Sequence, residues 1–412
     1  MLERIEDLLD SEYPDLRTQL HLSKQDLRYT SPKIIDHKFL SAYPREDQIR
    51  FLSLAAYSTE MVRNIIIGFV KAECSRTGAR NYFLRGSGAT GYFPLDDFDV
   101  SFYGSSRDYK PQQWPQTIMD RPVSWGHVPR EELANCLNTS LRMSASILEA
   151  IPITPTDQTI KQIINDAKEI ISGEGRFHYL LFRQFEELRL ELPWKKWKQP
   201  PDEYSGRKEM AGGKRTLQRI TWSLQTLHPD LSQTVNPSVL LMRAYFKGLV
   251  PFEVLSSEFN IMTMIKSDSY EPSVFNQSTQ EIHEWYTGSL MPDINKGLDD
   301  NIPPEYLTRI HTAFDPNTQA SEFPGIVKLA EDQDMSYKKW LMLWTMSHNR
   351  SCPDEILYNL WKNHLGDPAY RNVLRNLLRN PSFPIGLVSR EETEYDPHLL
   401  ECYDSVLKKS AL

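Results

Sequence analysis

Cysteine is scarce and scattered. Among 412 residues there are four, Cys74, Cys136, Cys352 and Cys402, with no Cys-x-x-Cys pair. Dispersed single cysteines argue against a disulfide framework or a cysteine-rich zinc site, and they fit a reducing compartment. Long apolar runs are missing as well. The longest near the start, Ile65-Ile66-Ile67-Gly68-Phe69-Val70, falls far short of the roughly 20 residues a bilayer-spanning helix needs. The opening residues, Met1-Leu2-Glu3-Arg4-Ile5-Glu6-Asp7, are charged, unlike a secretory leader. A cytoplasmic location is the expectation. Basic excess is also lacking: 47 Lys and Arg against 55 Asp and Glu leave a formal net charge of −8. That balance argues against a general nucleic-acid binder working by phosphate neutralisation.

What is present is an ordinary soluble composition, 40% hydrophobic and 25% charged, on a chain long enough for two or three domains. Residues 1–45 are polar and mixed. From Glu46 to Ser75 apolar residues recur at helical spacing (Ile49, Leu52, Ala56, Met61, Ile65, Phe69) with Gly78 as the stop. This predicts a helix packed on a sheet. Tyr82-Phe83-Leu84 then reads as a buried strand start.

A glycine-rich turn follows, Arg85-Gly86-Ser87-Gly88-Ala89-Thr90-Gly91, whose backbone can approach a ligand closely. After nine intervening residues from Ser87 comes Asp97-Phe98-Asp99 inside a second apolar run. Strand side chains alternate, so Asp97 and Asp99 share one face while Phe98 and Val100 take the other. Two adjacent carboxylates repel. Divalent cations bridging a nucleoside triphosphate would account for the pair, and the turn's N–H groups with the Ser87 hydroxyl would hold phosphate oxygens. The simpler reading is a glycine turn before a solvated acidic strand edge.

The Gly-Ser turn, the spacing and the Asp-x-Asp together resemble the signature of polymerase-beta-type nucleotidyltransferases. Two further stretches are similar to the bacterial protein-PII uridylyltransferases. One runs from Asp120 through Gly126-His127 to Arg130-Glu131 and Cys136-Leu137; the other is Lys208-Glu209-Met210-Ala211-Gly212-Gly213-Lys214-Arg215. The resemblance spans about residues 80–228. It implies a small mixed-sheet catalytic domain that moves NMP from an NTP to an acceptor hydroxyl with release of pyrophosphate. It assigns Asp97, Asp99 and Asp120 to Mg²⁺ or Mn²⁺, with Asp120 also able to accept the hydroxyl proton. Gly86 and Ser87 are assigned to the β/γ-phosphates, and Lys208 and Arg215 are further nucleotide contacts. Glu149 is a reserve carboxylate, and His127 an ordering residue. The chain departs from that pattern at Thr90, where the family carries Arg or Lys, and at Thr216, where it carries Asp. It also has no His-Asp dipeptide, so the phosphohydrolase domain of those enzymes is not expected.

Helices are expected from Pro129 to about Ile151, over 157–192, and through 230–310. Pro193-Trp194-Lys195-Lys196-Trp197-Lys198 reads as a connector, either an amphipathic clamp or a base-stacking strip. Toward the end Pro324, Pro353 and Pro384 recur at spacings of 29 and 31 residues, and Asn349 and Asn380 each precede a proline by four. This pattern resembles leucine-rich-repeat-variant or HEAT-like helical arrays, which imply a protein-binding surface. The expected class is α+β, in three parts: a catalytic domain over 1–155, a helical nucleotide- or substrate-binding domain over 156–310, and a repeat module over 311–412. A nucleotidyltransferase with a protein acceptor is the first functional expectation. The alternative is a catalytically impaired nucleotide-binding regulator that signals through the repeats. An RNA-modifying transferase would need a basic strip near Lys195 to Arg219, against the acidic balance of the chain.

Overall fold

The computed structural model describes residues 43–75, 78, 80–91, 98–105, 107–108, 116–118, 121–191, 204–231, 236–265 and 270–410. Asp97, Asp120, the 193–202 connector and residues 1–42 lie outside them, and of Ser87 only the backbone is described. Helices dominate, with one small mixed sheet, as the α+β expectation has it. Two compact units interleave along the sequence. The first takes Met1–Pro129, Ser146–Lys161 and Glu186–Asn295; the second takes Arg130–Ala145, Gln162–Phe185 and Lys296–Leu412. The expected boundaries after 155 and 310 assume consecutive domains and do not coincide with these.

In the first unit, α1 (Arg45–Ser75) is one long helix. Leu52, Ala55, Ala56, Ile66, Ile67, Val70 and Cys74 are buried on it, the three-and-four spacing of an apolar stripe. Of Met61, Ile65 and Phe69 the side chains are outside the described set. The sheet runs β3 (Thr117–Ile118), β4 (Arg121–Val128), β2 (Phe98–Tyr103), β1 (Tyr82–Arg85), β5 (Ile151–Pro152) in spatial order. β1 is antiparallel to β2 and β5, and β2 is parallel to β4. Strand alternation then divides the residues. Tyr82, Leu84, Phe98, Val100, Phe102 and Val123 join Ile66, Val70 and Cys74 of α1 in one core. Arg85, Asp99 and Ser101 take the opposite face.

The glycine turn, expected as a loop, closes into a single helical turn, α2 (Gly86–Thr90), with the Thr90 hydroxyl donating to Gly86 O at 3.2 Å. The helix expected from Pro129 onward is two helices, α3 (Arg130–Thr139) and α4 (Leu141–Leu148). Ser140 divides them: its N–H still bonds to Cys136 O, while its hydroxyl accepts from Met143 N and starts the next helix. Two long helices follow as expected, α5 (Gln158–Ser172) and α6 (Arg176–Glu191), each with residues in both units. The first unit continues through α7 (Tyr204–Glu209), α8 (Lys214–Leu227), α9 (Pro237–Phe246), α10 (Phe252–Met264) and α11 (Pro272–Trp285). After a π-helical turn at Tyr286–Leu290 comes α12 (Met291–Asn301).

The second unit holds α3 and most of α4, together with α13 (Pro304–Phe314), α14 (Phe323–Glu331), α15 (Ser336–His348), α16 (Asp354–His364), α17 (Arg371–Arg379) and α18 (Pro397–Ser410). α15 is buried from Trp340 through Ser347, so it has no solvent face along that stretch. Trp340 and Trp344 stand edge-on to Phe182. The recurring prolines open α14 and α16 as expected. The third, Pro384, opens only a 3₁₀ turn, Ile385–Leu387, and the next α-helix, α18, starts at Pro397.

Candidate functional site

The glycine turn and the acidic strand meet at one point. In the β1–β2 pairing Arg85 stands opposite Asp99. Gly86 follows with φ +60°, and a Cβ built there would sit 2.7 Å from Asp99 Oδ2. Its missing side chain is therefore the space the carboxylate fills. On the next strand Gly126 leaves room in the same way: a Cβ there would lie 2.9 Å from Ser101 Oγ and 3.4 Å from Arg85 Nη2. Asp99 is half-buried. The Arg85 guanidinium buries its Nε with no hydrogen-bond partner. Behind Asp99 on the same strand, burial pushes the Tyr103 hydroxyl pKa up, opposed by Arg85.

The far end of the turn is clamped from α1. Arg63 donates through Nε to Ala89 O and through Nη1 to Glu60 Oε1 at 2.7 Å. Thr90 is buried and turned back onto Gly86 O. His127 donates through Nε2 to Gly104 O at 2.9 Å and stacks on Phe102, which orders the strand ends. Glu149 accepts from Trp222 Nε1 at 2.9 Å.

A second cluster forms around Gly212-Gly213. Gly212 has φ +77° and packs so closely on Thr279 that a Cβ would land on its carbonyl oxygen. Gly213 N-caps α8, and Thr216 Oγ1 accepts from Gly212 N at 2.8 Å. Arg215, in the first turn of α8, contacts Glu209 at 3.0 Å and Glu187 at 3.4 Å, and donates to Gln218 at 2.9 Å. Burial alone would lower its pKa, but Glu187 and Glu209, joined by Glu186, outweigh it and hold the guanidinium above its ordinary value. Arg215 is thus committed to carboxylates. Lys208 is half-buried on α7.

Sequence reading missed three buried cations beside these: Arg207, Lys214 and Arg219. The Arg207 guanidinium lies 4.5 Å over the Tyr270 ring, and that of Arg219 lies 4.8 Å over Tyr286. A signal was present. Lys214 lies on the same side of α8 as Leu217, one turn on, where a cation is out of place unless it is satisfied inside.

Of the expected site residues, Gly86 and Asp99 are brought into contact, and Lys208 and Arg215 sit on the α7–α8 turn. Asp97 and Asp120 are outside the described residues, among which no three His, Cys, Asp or Glu side chains cluster as a cation site. Set against protein-family models, curated proteins and solved structures, the chain matches none.

Proposed function

We propose that the chain is a metal-dependent nucleotidyltransferase. The observation that carries this reading is the contact between Gly86 and Asp99, which puts an open glycine backbone against the second carboxylate of an Asp-x-Asp pair. Carboxylate oxygens are hard donors suited to Mg²⁺ or Mn²⁺. Asp97 and Asp99 would hold two such ions, with Asp120 completing the site, and the ions would neutralise charge gathering on the leaving pyrophosphate. The Gly86 and Ser87 backbone would bind the β/γ-phosphates. The acceptor oxygen attacks the α-phosphorus, the bond to the bridging oxygen breaks toward pyrophosphate, and the hydroxyl proton passes to Asp120. The helical repeat module suits a protein acceptor, because stacked helices offer an extended face.

The test is incubation of the purified chain with each α-³²P-labelled NTP and Mg²⁺ or Mn²⁺, with and without lysate, beside Asp97→Ala/Asp99→Ala. Label on a macromolecule that disappears in the variant supports transfer to a protein or nucleic acid. A labelled small product supports a metabolite acceptor. No transfer in any condition refutes catalysis.

Two observations favour a second reading, a nucleotide-binding regulator without transfer activity. Thr90 carries no charge at the turn and faces inward. Arg215 is already held by Glu187 and Glu209. Saturable NTP binding without transfer, lost in Asp99→Ala, would select it.

A further inference from the structure

A cavity of about 50 Å³ lies in the first unit between α1, α9 and α10, beside Gly91 at the end of the glycine turn. Leu52 and Ala56 of α1 with Leu255 and Phe259 of α10 give it apolar walls. Thr59 and Thr263 line it too and are partly exposed. None of Gly86, Asp99, Lys208 or Arg215 lines it, so it is separate from the nucleotide site proposed above.

One ionisable group stands in this wall among the described residues. Glu258 is 4% exposed, and its one hydrogen bond among those residues is accepted from Ser238 Oγ. Burial raises its pKa to about 7, the Ser238 bond opposes, and no charged side chain among the described residues contributes. Charges on the surrounding helices are engaged elsewhere or exposed. Arg63 pairs with Glu60 on α1, and Arg45 of α1 pairs with Glu253 of α10. Glu281 of α11 accepts from Ser257 and Gln277, Arg215 of α8 holds Glu209, and Arg243 of α9 is exposed.

The other polar groups of the wall share one character. Ser238 gives its hydroxyl proton to Glu258, Thr59 to Ala56 O at 2.7 Å and Thr263 to Phe259 O at 2.9 Å. These side chains therefore offer an occupant oxygen lone pairs, with no hydroxyl proton left to give. The occupant has to bring the donors. An ionised carboxylate buried alone is costly, and a cation beside it offsets that cost.

We propose that this cavity binds a small primary alkylamine as its ammonium ion. The three N–H donors meet Glu258 and the hydroxyl oxygens, and the alkyl chain lies against Leu52, Ala56, Leu255 and Phe259. At ~10–15 Å³ for each water-sized group, the space suits about four non-hydrogen atoms. A carboxylate would set acceptor against acceptor, and an alcohol brings a single donor.

Isothermal titration calorimetry on the full chain tests this with n-propylamine, n-propanol and propionate. For so small a ligand the expected Kd is about 1 mM at pH ~8. The ammonium pairs with ionised Glu258, so affinity should rise about tenfold from pH ~6 to pH ~8, as the carboxyl loses its proton through about 7. Propanol and propionate should bind at least ~10-fold more weakly than the amine. Glu258→Gln should weaken amine binding on the order of tenfold or more at the higher pH. Ala56→Leu, which fills the cavity and keeps the carboxyl, should abolish it. If either variant fails to fold, the other and the wild-type pH profile carry the test. A wild-type chain that takes up no propylamine at ~20 mM overturns the proposal. So does propanol binding as tightly as the amine, or an affinity that is the same at both pH values. Amine binding that survives Glu258→Gln or Ala56→Leu also overturns it, because the amine would then sit on the acidic surface of a chain with net charge −8.

Discussion

Asn380 donates its side-chain amide to the backbone carbonyl of Asn349 at 2.9 Å, and Asn349 donates in the same way to the carbonyl of Asp315 at 2.7 Å. All three residues terminate helices in nearly one conformation, with ψ of 120°, 119° and 122° from Asp315 to Asn380. Each side-chain oxygen also accepts from the N–H two residues on, at Asn317, Ser351 and Ser382. The recurring helix ends are thus tied rung to rung, because each asparagine satisfies the carbonyl that the preceding helix end leaves open.

Asn380→Ala removes donors to two buried carbonyls, those of Asn349 and Ser347. The expected cost is about 2–4 kcal/mol. Asn380→Asp should cost as much, since a carboxylate cannot donate. Urea unfolding measures both, and a loss below about 0.5 kcal/mol, the level of an ordinary surface change, would remove the ladder from the account of stability.

Glu258 gives a pH dependence. It is buried on α10, accepts from Ser238 Oγ at 2.7 Å, and lines a cavity of about 50 Å³ with Leu52, Thr59, Gly91 and Phe259. Burial raises its pKa from 4.5 to about 7. The neutral form therefore favours the fold. That contribution is full below pH 4.5, and it is lost as pH rises through about 7. Between pH 5 and 8 the loss should approach ~3 kcal/mol. Glu258→Gln should abolish most of the difference in melting temperature across that range. A variant whose slope matches wild type would show that Glu258 ionises freely.

Gly86→Ala places a methyl against Asp99 at positive φ. A destabilisation of about 1–3 kcal/mol is expected, together with a fall in any nucleotide binding. Gly212→Ala should be worse, because the obstacle is the Thr279 backbone rather than a movable side chain. Gly68 on α1 has open space around it, so Gly68→Ala should be stabilising by ~0.5–1 kcal/mol. Thermal melts of the three give the order directly.

Arg215→Met separates a structural role from a nucleotide contact. Glu187 is buried and would lose a partner, so about 3–5 kcal/mol is expected to go. Arg215→Lys keeps the charge but not the fork, and should recover part of it. Unchanged stability with weakened NTP binding would instead return Arg215 to the role its sequence context suggests.

Much of the architecture was readable in order along the chain. α1 carries its apolar stripe in the sequence, the strands at Tyr82 and Phe98 show their alternation, and Gly212-Gly213 announces the start of α8. These are local signals, set by a residue's own backbone preference and by repeat period, and neighbours in space do not alter them. The site was readable only in part. That Gly86 and Asp99 belong together was suggested by spacing, but their contact depends on a one-residue register, which pairs Arg85 with Asp99.

Composition and pattern by themselves determined the α+β class, the acidic balance, the lack of long apolar spans and the repeat near the C-terminus, because each follows from counts and periods. Only the tertiary structure decided that Arg215 faces carboxylates, that Lys214 and Arg219 are buried, and that Asn349 and Asn380 are rungs of one ladder. The reason is physical. A charge or an amide carries no mark in the sequence of what will stand opposite it, and that choice is made when distant segments pack.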